Sequence, residues 1–382
     1  MGACERYWGT SLAVTLVALA VVQAYAADER PVQPPGAWQR SDESLVWGFA
    51  NMYQPCVREL PNEVYRYKMW FFGWASADMN PDYPGCDAIF HARSKDLKAW
   101  EIYAGEDGWD TSMNPKVWAP VMWPDQKFYD EWHNGDPSVV YHNSRYYMAF
   151  SSTSKTFTEP VKGHPNKMLL CIMGAVSNDG IHWTKTAQPL LIEPEEAQHP
   201  ETDEGWAGDF NRPSLMWEDG KWRLWFDYWH PQYGVSMGYA ENTDEFAAPN
   251  GFKVMHDLAE PLLPCWPNPE VVRVGERYHA FADPNGYPPK VGGPDAGWAS
   301  RALCEAVSDD GLHWDVVGFI GPDPDAAACH VPQALVTRVE GKEWLYLFYA
   351  TQRGRRDQQD LYDYRYDRIK AMRRPVELTG KE

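Results

Sequence analysis

Asn134-Gly135-Asp136-Pro137-Ser138-Val139-Val140-Tyr141 decides the fold, because its parts return along the chain. A proline followed by a small or polar residue and an aliphatic run occurs five times: Gln54-Pro55-Cys56-Val57, Asp136-Pro137-Ser138-Val139, Arg212-Pro213-Ser214-Leu215, Asn268-Pro269-Glu270-Val271 and Val331-Pro332-Gln333-Ala334. Each leads through a short polar turn to an aromatic run: Tyr67–Trp74, Tyr146–Phe150, Trp222–Tyr228, Tyr278–Phe281 and Trp344–Tyr349. A second element follows, ending in Trp100, Trp183 and Trp314: Ser94-Lys95-Asp96-Leu97, Ser177-Asn178-Asp179-Gly180 and Ser308-Asp309-Asp310-Gly311, with a degenerate copy at Glu241–Phe246. The step from repeat proline to tryptophan is 45 residues (55 to 100), 46 (137 to 183) and 45 (269 to 314). Two landmarks that hold one spacing three times mark a structural repeat.

Each repeat reads as strand, tight turn, strand, longer loop, strand, Asp-Gly turn, strand. Such a four-stranded antiparallel unit cannot bury both faces alone, so the units must stack around an axis. The sequence therefore predicts an all-β five-bladed β-propeller of four-stranded antiparallel blades. The repeat prolines are expected at the first residues of each innermost strand, where a ladder donor can be spared. Helix signal is weak throughout; only residues 356–362 suggest a turn.

The chain opens with Glu5 and Arg6, an apolar run from Leu12 to Val22 and the small-x-small pattern Ala24-Tyr25-Ala26. This reads as a signal peptide over residues 1–26, cleaved after Ala26, too short to span a bilayer. The predicted product is secreted or periplasmic, with a lead-in over 27–44 and one propeller over 45–382. Six cysteines then remain, and an even count in an exported chain permits disulfides. Cys265/Cys304 and Cys56/Cys86 are candidate pairs, with buried thiols the alternative. A formal net charge of −19 and the lack of a basic stripe argue against nucleic acid, and no second apolar stretch points to a membrane. The 20 tryptophans and 21 tyrosines suit an aromatic core, and aromatic rings also stack on sugars.

In a propeller the innermost strand of each blade starts on one face of the disc. The predicted turns on the opposite face are short and polar, whereas that first face carries long excursions holding Trp109, Trp118, Trp123, Trp132, Trp206, Trp229 and Trp298. Long loops on one rim of a rigid scaffold are where function concentrates. Strand-entry residues that converge on the central funnel are Gln54, Asp136, Arg212, Asn268 with Glu270, and His330 with Gln333. Glycoside hydrolysis needs two carboxyl groups flanking the scissile bond, and Asp136 and Glu270 are the candidate pair. For each, a structural role is the alternative; an aspartate before proline can simply cap a turn. Asp209, Glu204, Asp283 or Asp87 are further rim carboxylates. Arg212 is expected either to hold an anionic group or to pair with a carboxylate. Asp87, His133, Trp132, Trp229 and Asp283 complete the expected substrate-binding set with Gln54, Arg212, His330 and Gln333; Asp136, Glu270 and Asp209 form the expected catalytic set.

Gly135-Asp136-Pro137-Ser138-Val139, the Ser-x-Asp-Gly-x-x-Trp turns and Cys329-His330-Val331-Pro332 resemble the five-bladed glycoside hydrolases: the arabinofuranosidase/xylosidase group called family 43 and its invertase-like and mannoside-phosphorylase-like relatives. The resemblance covers roughly residues 45–375. It implies a secreted glycosidase acting on a plant or algal oligo- or polysaccharide, with Asp136 at the position of the family's pKa-modulating aspartate. Two departures stand out: Gln54 occupies the place of the first-blade base, and Arg212 that of the third-blade acid. They keep open a non-catalytic carbohydrate-binding propeller, or a related phosphorylase or transferase. His330 matches a channel histidine that in the family helps bind calcium through water; no other cofactor is implied. The Ser-x-Asp-Gly-x-x-Trp elements read as turn fasteners remote from the chemistry.

Overall fold

The computed structural model describes residues 30–34, 36–48, 52–75, 86–125, 129–131, 133–156, 168–192, 208–248, 251–284, 301–320, 328–352 and 367–376. The predicted signal peptide, Trp132, Glu204, Trp206, Trp298 and residues 356–362 lie outside them. Five antiparallel sheets follow one another, as the repeat predicts. The first comprises Tyr53–Glu59, Tyr67–Ala75, Cys86–Ser94 and Trp100–Tyr103, extended by Trp109–Asp110. The second holds Asn134–His142, Arg145–Thr156, Met168–Ser177 and Trp183–Lys185; the third, Gly208–Glu218, Lys221–His230, Gly234–Asn242 and Lys253–Val254. The fourth holds Glu270–Val274, Arg277–Ala282, Cys304–Ser308 and Asp315–Phe319. The fifth holds Ala328–Val339, Lys342–Gln352 and Asp367–Pro375, and its outer strand comes from the other end of the chain: Gln39 pairs with Arg373 and Val46 with Ile369. The segment from Gln39 to Trp47 thus closes the ring. It is anchored further where Trp38 Nε1 donates to Gln33 Oε1 at 3.0 Å and Gln33 Nε2 donates to the buried Glu305 at 2.8 Å.

The short polar turns behave as hairpin chemistry requires. Asn143-Ser144, Asp219-Gly220 and Glu340-Gly341 all have positive φ at both positions, the primed geometry that matches strand twist. The repeat prolines sit differently from expectation. Except at Pro269, which precedes its strand, they lie inside the innermost strand at a β-bulge, with the register shifting between Tyr53 and Cys56, Gly135 and Ser138, Asn211 and Ser214, and His330 and Gln333. The residue before each proline is left-handed: Gln54 (φ 51°), Asp136 (52°), Arg212 (45°), Asn268 (53°) and Val331 (49°). The bulge removes the ladder position that proline cannot fill.

The residue after each proline joins the blades. Cys56 Sγ accepts the backbone N–H of Val139 at 3.2 Å, Ser138 Oγ that of Leu215 at 2.8 Å, Ser214 Oγ that of Val271 at 2.9 Å, and Glu270 Oε1 that of Ala334 at 3.2 Å. Each acceptor belongs to one blade and each donor to the next. A second tier repeats the device from the middle strands: Ser151 Oγ accepts the N–H of Arg212 (2.9 Å), Asp227 Oδ2 that of Asn268 (2.9 Å) and Asp283 Oδ2 that of Val331 (3.1 Å).

The Ser-x-Asp-Gly-x-x-Trp turns are fasteners, as expected. Ser177 Oγ accepts the Gly180 N–H and Asp179 accepts those of Ile181 and His182, a set repeated at Ser308–His313. Their glycine carbonyls receive a tryptophan from the preceding blade: Trp70 Nε1 reaches Gly180 O at 2.8 Å, and Trp225 Nε1 reaches Gly311 O at 2.9 Å.

The disulfide expectation is corrected. Cys56, Cys171, Cys265 and Cys304 are free thiols, because Cys56 serves the blade junction and Cys265 donates to Tyr233 O at 3.0 Å. Trp109 and Trp118 are corrected too: they serve packing within blade one rather than the mouth. Trp109 stacks under Arg93 at 3.8 Å, and Trp118 is buried against Phe71 with its indole N–H on Asp110.

Replacing Ser138 by Ala is expected to leave the Leu215 amide unpaired and lower the unfolding free energy by about 1–3 kcal/mol in urea titrations. A Cβ on Gly180 would stand 2.8 Å from Trp70 Cζ2, whereas one on Gly220 meets nothing within 4 Å at a similar φ. Gly180→Ala should therefore destabilise by about 1–3 kcal/mol more than Gly220→Ala, measured in the same titrations.

Candidate active site

The bulges turn the residue before each proline toward the axis, so five different side chains meet at the funnel: Gln54, Asp136, Arg212, Asn268 and Val331. The floor is split by chemistry. Blades five and one supply an apolar side in which Val331, Ala350, Tyr53 and Phe72 pack together, with the Tyr53 and Phe72 rings 4.2 Å apart. Blades two to four supply an ionic side.

Asp136 is 2% exposed, and its Oδ1 has no hydrogen-bond partner among the described residues. Its charge is felt by Tyr53, His133, Arg212 and Asp227. Beside it, His133 Nδ1 and Asp87 Oδ2 are 2.5 Å apart, and this pair keeps access to solvent. Burial works against a charge on His133, but Asp87, its hydrogen bond and then Asp136 outweigh burial and the opposing Arg212, and the imidazole is raised above its ordinary value. Gly135 makes this geometry possible, since a Cβ there would stand 2.8 Å from His133 Cε1 and 3.0 Å from Phe72.

Arg212 NH1 lies 3.3 Å from Asp227 Oδ2 and Arg301 NH1 3.2 Å from Asp283 Oδ2. Burial opposes the charge of Arg212, but Asp227 and Asp136 more than restore it. Burial pushes Asp227 up to about 6 in spite of Arg212 and the Asn268 amide, and it raises Asp283 in spite of Arg301. Tyr53 is raised well above its ordinary value by burial, then by Asp136 and Asp87. Its hydroxyl therefore stays neutral and can donate.

The candidate residues from the sequence separate into three groups. Asp136, Asp87, His133, Arg212 and Asp283 are brought together at the mouth, with Gln54 on its floor. Glu270 sits deeper, 1% exposed, in the blade-joining tier; Ser214 Oγ donates to its second oxygen at 3.0 Å while Ala334 N–H occupies the first. Burial raises it despite these bonds and the nearby Arg58. Gln333 holds the equivalent position in blade five. Asp209 is partly buried and left-handed (φ 58°), three residues before Arg212 on the same strand. Trp229 is 44% exposed at the end of the second strand of blade three. His330 is buried, its ring 6.1 Å from Tyr53, and burial and then Arg301 push it down to about 3. Among the described residues no three His, Cys, Asp or Glu groups converge as metal ligands.

Three mouth residues escape the sequence reading: Tyr53, Asp227 and Arg301. Asp227 had a signal, as the lone carboxylate in the apolar run Leu224-Trp225-Phe226-Asp227-Tyr228. Tyr53 passes for core in the sequence, and nothing local marks Arg301.

This architecture is that of known five-bladed propellers. No family profile matches the sequence, and no curated protein matches it. Solved structures do match along nearly the whole length of the protein. Zg3597, a family 117 glycoside hydrolase from the marine bacterium Zobellia galactanivorans, is 13% identical with a TM-score of 0.57, over 90% of this protein and 92% of that one. BmSUC1, a GH32 β-fructofuranosidase from Bombyx mori, is 15% identical with a TM-score of 0.53, over 95% of this protein and 66% of that one. CoXyl43, a GH43 β-xylosidase/α-arabinofuranosidase from a compost microbial metagenome, is 12% identical with a TM-score of 0.52, over 87% and 94%. The likeness establishes the fold that this protein shares with these glycoside hydrolase propellers.

The raised His133 makes its pair with Asp87 stabilising mainly below the ordinary histidine range near 6.5; that contribution is lost as pH rises through the folded value. An NMR titration should place His133 above 6.5 in the wild type and lower in Asp87→Asn.

Proposed function

We propose that this protein is a glycoside hydrolase whose reaction takes place at the funnel mouth between Asp136 and the His133–Asp87 pair. The observation that carries this reading is the juxtaposition of a buried carboxylate holding a free acceptor oxygen with an imidazole biased toward its protonated form. Glycosidic cleavage needs one group that donates a proton to the departing oxygen and one that supports the forming cationic centre or its nucleophile. His133 takes the donor role, with Asp87 holding the ring and its charge. Asp136 takes the second role, inside an ionic wall where its charge acts at low dielectric. Arg212 and the Tyr53 hydroxyl are placed to bind and orient sugar hydroxyls. Arg212 and Arg301 already face carboxylates, an arrangement that suits a glycan better than a free phosphate co-substrate, so hydrolysis is favoured over phosphorolysis. The leader sequence supports export and action on an extracellular glycan of plant or algal origin, the class that the resemblance to family 43 implies.

The alternative is a propeller that binds glycans without cleaving them. It is favoured by the hydrogen bonds that Glu270, Asp227 and Asp283 all accept from a neighbouring blade, which engage three of the central carboxylates in holding the ring together.

Sugar release from a panel of plant and algal oligosaccharides separates the two. Asp136→Asn and His133→Gln are each expected to lower turnover at least about a hundredfold. The wild-type pH profile should fall on its alkaline side as His133 loses its proton, and Asp87→Asn should move that limb to lower pH. Retention of a glycan with no release by the wild type would establish the binding propeller instead.

A further inference from the structure

A second concavity lies away from the funnel, at the perimeter between blades one and two. It is lined by the outer strand of blade two (Trp183–Lys185) with the residues that follow it to Gln188, and by Trp123, Asp125, Tyr129 and Asp130, and its volume is about 910 Å³. That falls within the range of small-molecule sites, about 300–1,000 Å³. Trp123 stands at its lip, 42% exposed, in a protein that otherwise buries most of its large aromatic rings.

The backbone that carries the exposed indole is held in place. Lys185 Nζ donates to the backbone carbonyl of Trp123 at 2.6 Å and makes an ion pair with Asp130, a carboxylate only 2% exposed. Asp130 in turn accepts from Asn134 Nδ2. Tyr129 is held by Ser152 Oγ, which donates to Tyr129 O at 2.8 Å and also contacts His133 O at 3.1 Å. Ser152 therefore touches both the cleft lining at Tyr129 and the backbone of the mouth histidine. Across the cleft, Trp183 is pinned by its indole N–H on Gly180 O at 3.0 Å, and exposed Thr184 and Gln188 supply hydrogen-bonding groups.

We propose that this cleft is a second carbohydrate site, which takes an uncharged segment of a glycan with Trp123 as its stacking platform. The proposal rests on the glycan reading of the funnel for the identity of the ligand. An exposed indole on an anchored backbone, flanked by polar side chains, matches a sugar ring, which offers an apolar C–H face and a polar edge. The charge pattern selects a neutral ligand, because Lys185 and Asp130 on the lining cancel.

The test is native affinity electrophoresis of the full-length protein carrying Asp136→Asn, in gels cast with soluble arabinoxylan, arabinan or agarose-derived oligosaccharides. Retardation is expected in at least one gel. Adding Trp123→Ala should weaken it at least about tenfold, the scale for losing an aromatic anchor, and Trp123→Phe should restore most of it. Trp47→Ala, another exposed tryptophan (40%), should not weaken it. Equal retardation with and without Trp123→Ala, or no retardation in any gel, overturns the cleft proposal. Sugar release by the wild type is read separately. A Trp123-dependent retardation without release would sustain the cleft and remove the hydrolase reading, while release without Trp123 dependence would do the reverse.

Discussion

The structure depends on a proline that recurs five times and in four of the blades lies inside the innermost strand. A proline inside an innermost strand cannot donate to the ladder, so the strand bulges and the preceding residue takes a left-handed conformation. For a residue other than glycine that conformation costs about 1–2 kcal/mol, and proline makes its predecessor less free still. The cost is offset locally. The bulged residue's own N–H and the side chain after the proline become available to the adjoining blade, and the two tiers of junction bonds from Cys56 to Glu270 and from Ser151 to Asp283 follow. The same bulge turns the preceding side chain into the funnel. Ring closure and site construction are therefore one device.

That coupling explains the chemistry of the mouth. Five equivalent positions carry Gln, Asp, Arg, Asn and Val, and the ring's symmetry is broken only by side-chain identity. On blades three and four the supporting residue of the middle strand is a carboxylate, Asp227 or Asp283, which both accepts a junction amide and faces an arginine. On blade five the equivalent place is Ala350 and on blade one it is Phe72. The funnel is thus ionic on one side and apolar on the other, an arrangement suited to a ring with two unlike faces. Asp136 sits at the boundary, beside the His133 ring that Gly135 admits. Strained backbone gathered at such a place is common at functional sites.

Glu270 shows a task that a motif does not reveal. Its position after the fourth proline places it near the axis, where a catalytic carboxylate is expected. Cys56, Ser138 and Ser214 hold the equivalent positions in blades one to three, and each accepts an amide from the next blade. Glu270 does the same with a longer side chain. The pattern was visible in the sequence as residues of several types at one register, but the shared task appears only when the neighbouring blade is present.

What the sequence determined by itself was the repeat, and with it the blade count, the four strands per blade, the hairpin turns and the fastening role of the Ser-x-Asp-Gly-x-x-Trp elements. These follow from local periodicity, turn residues and constant spacing, which need no knowledge of distant contacts. It also brought Asp136 and Arg212 to the funnel, since their register relative to proline fixes where they point. Only the tertiary structure decided that Gln39–Arg40 closes the ring, that Cys56 and Cys265 serve as thiols, that Asp87 meets His133 and that Tyr53, Asp227 and Arg301 share the mouth. Each of these is a meeting of residues on different strands, often on different blades. Such a meeting depends on how twisted sheets pack around an axis, and no stretch of a single strand encodes it.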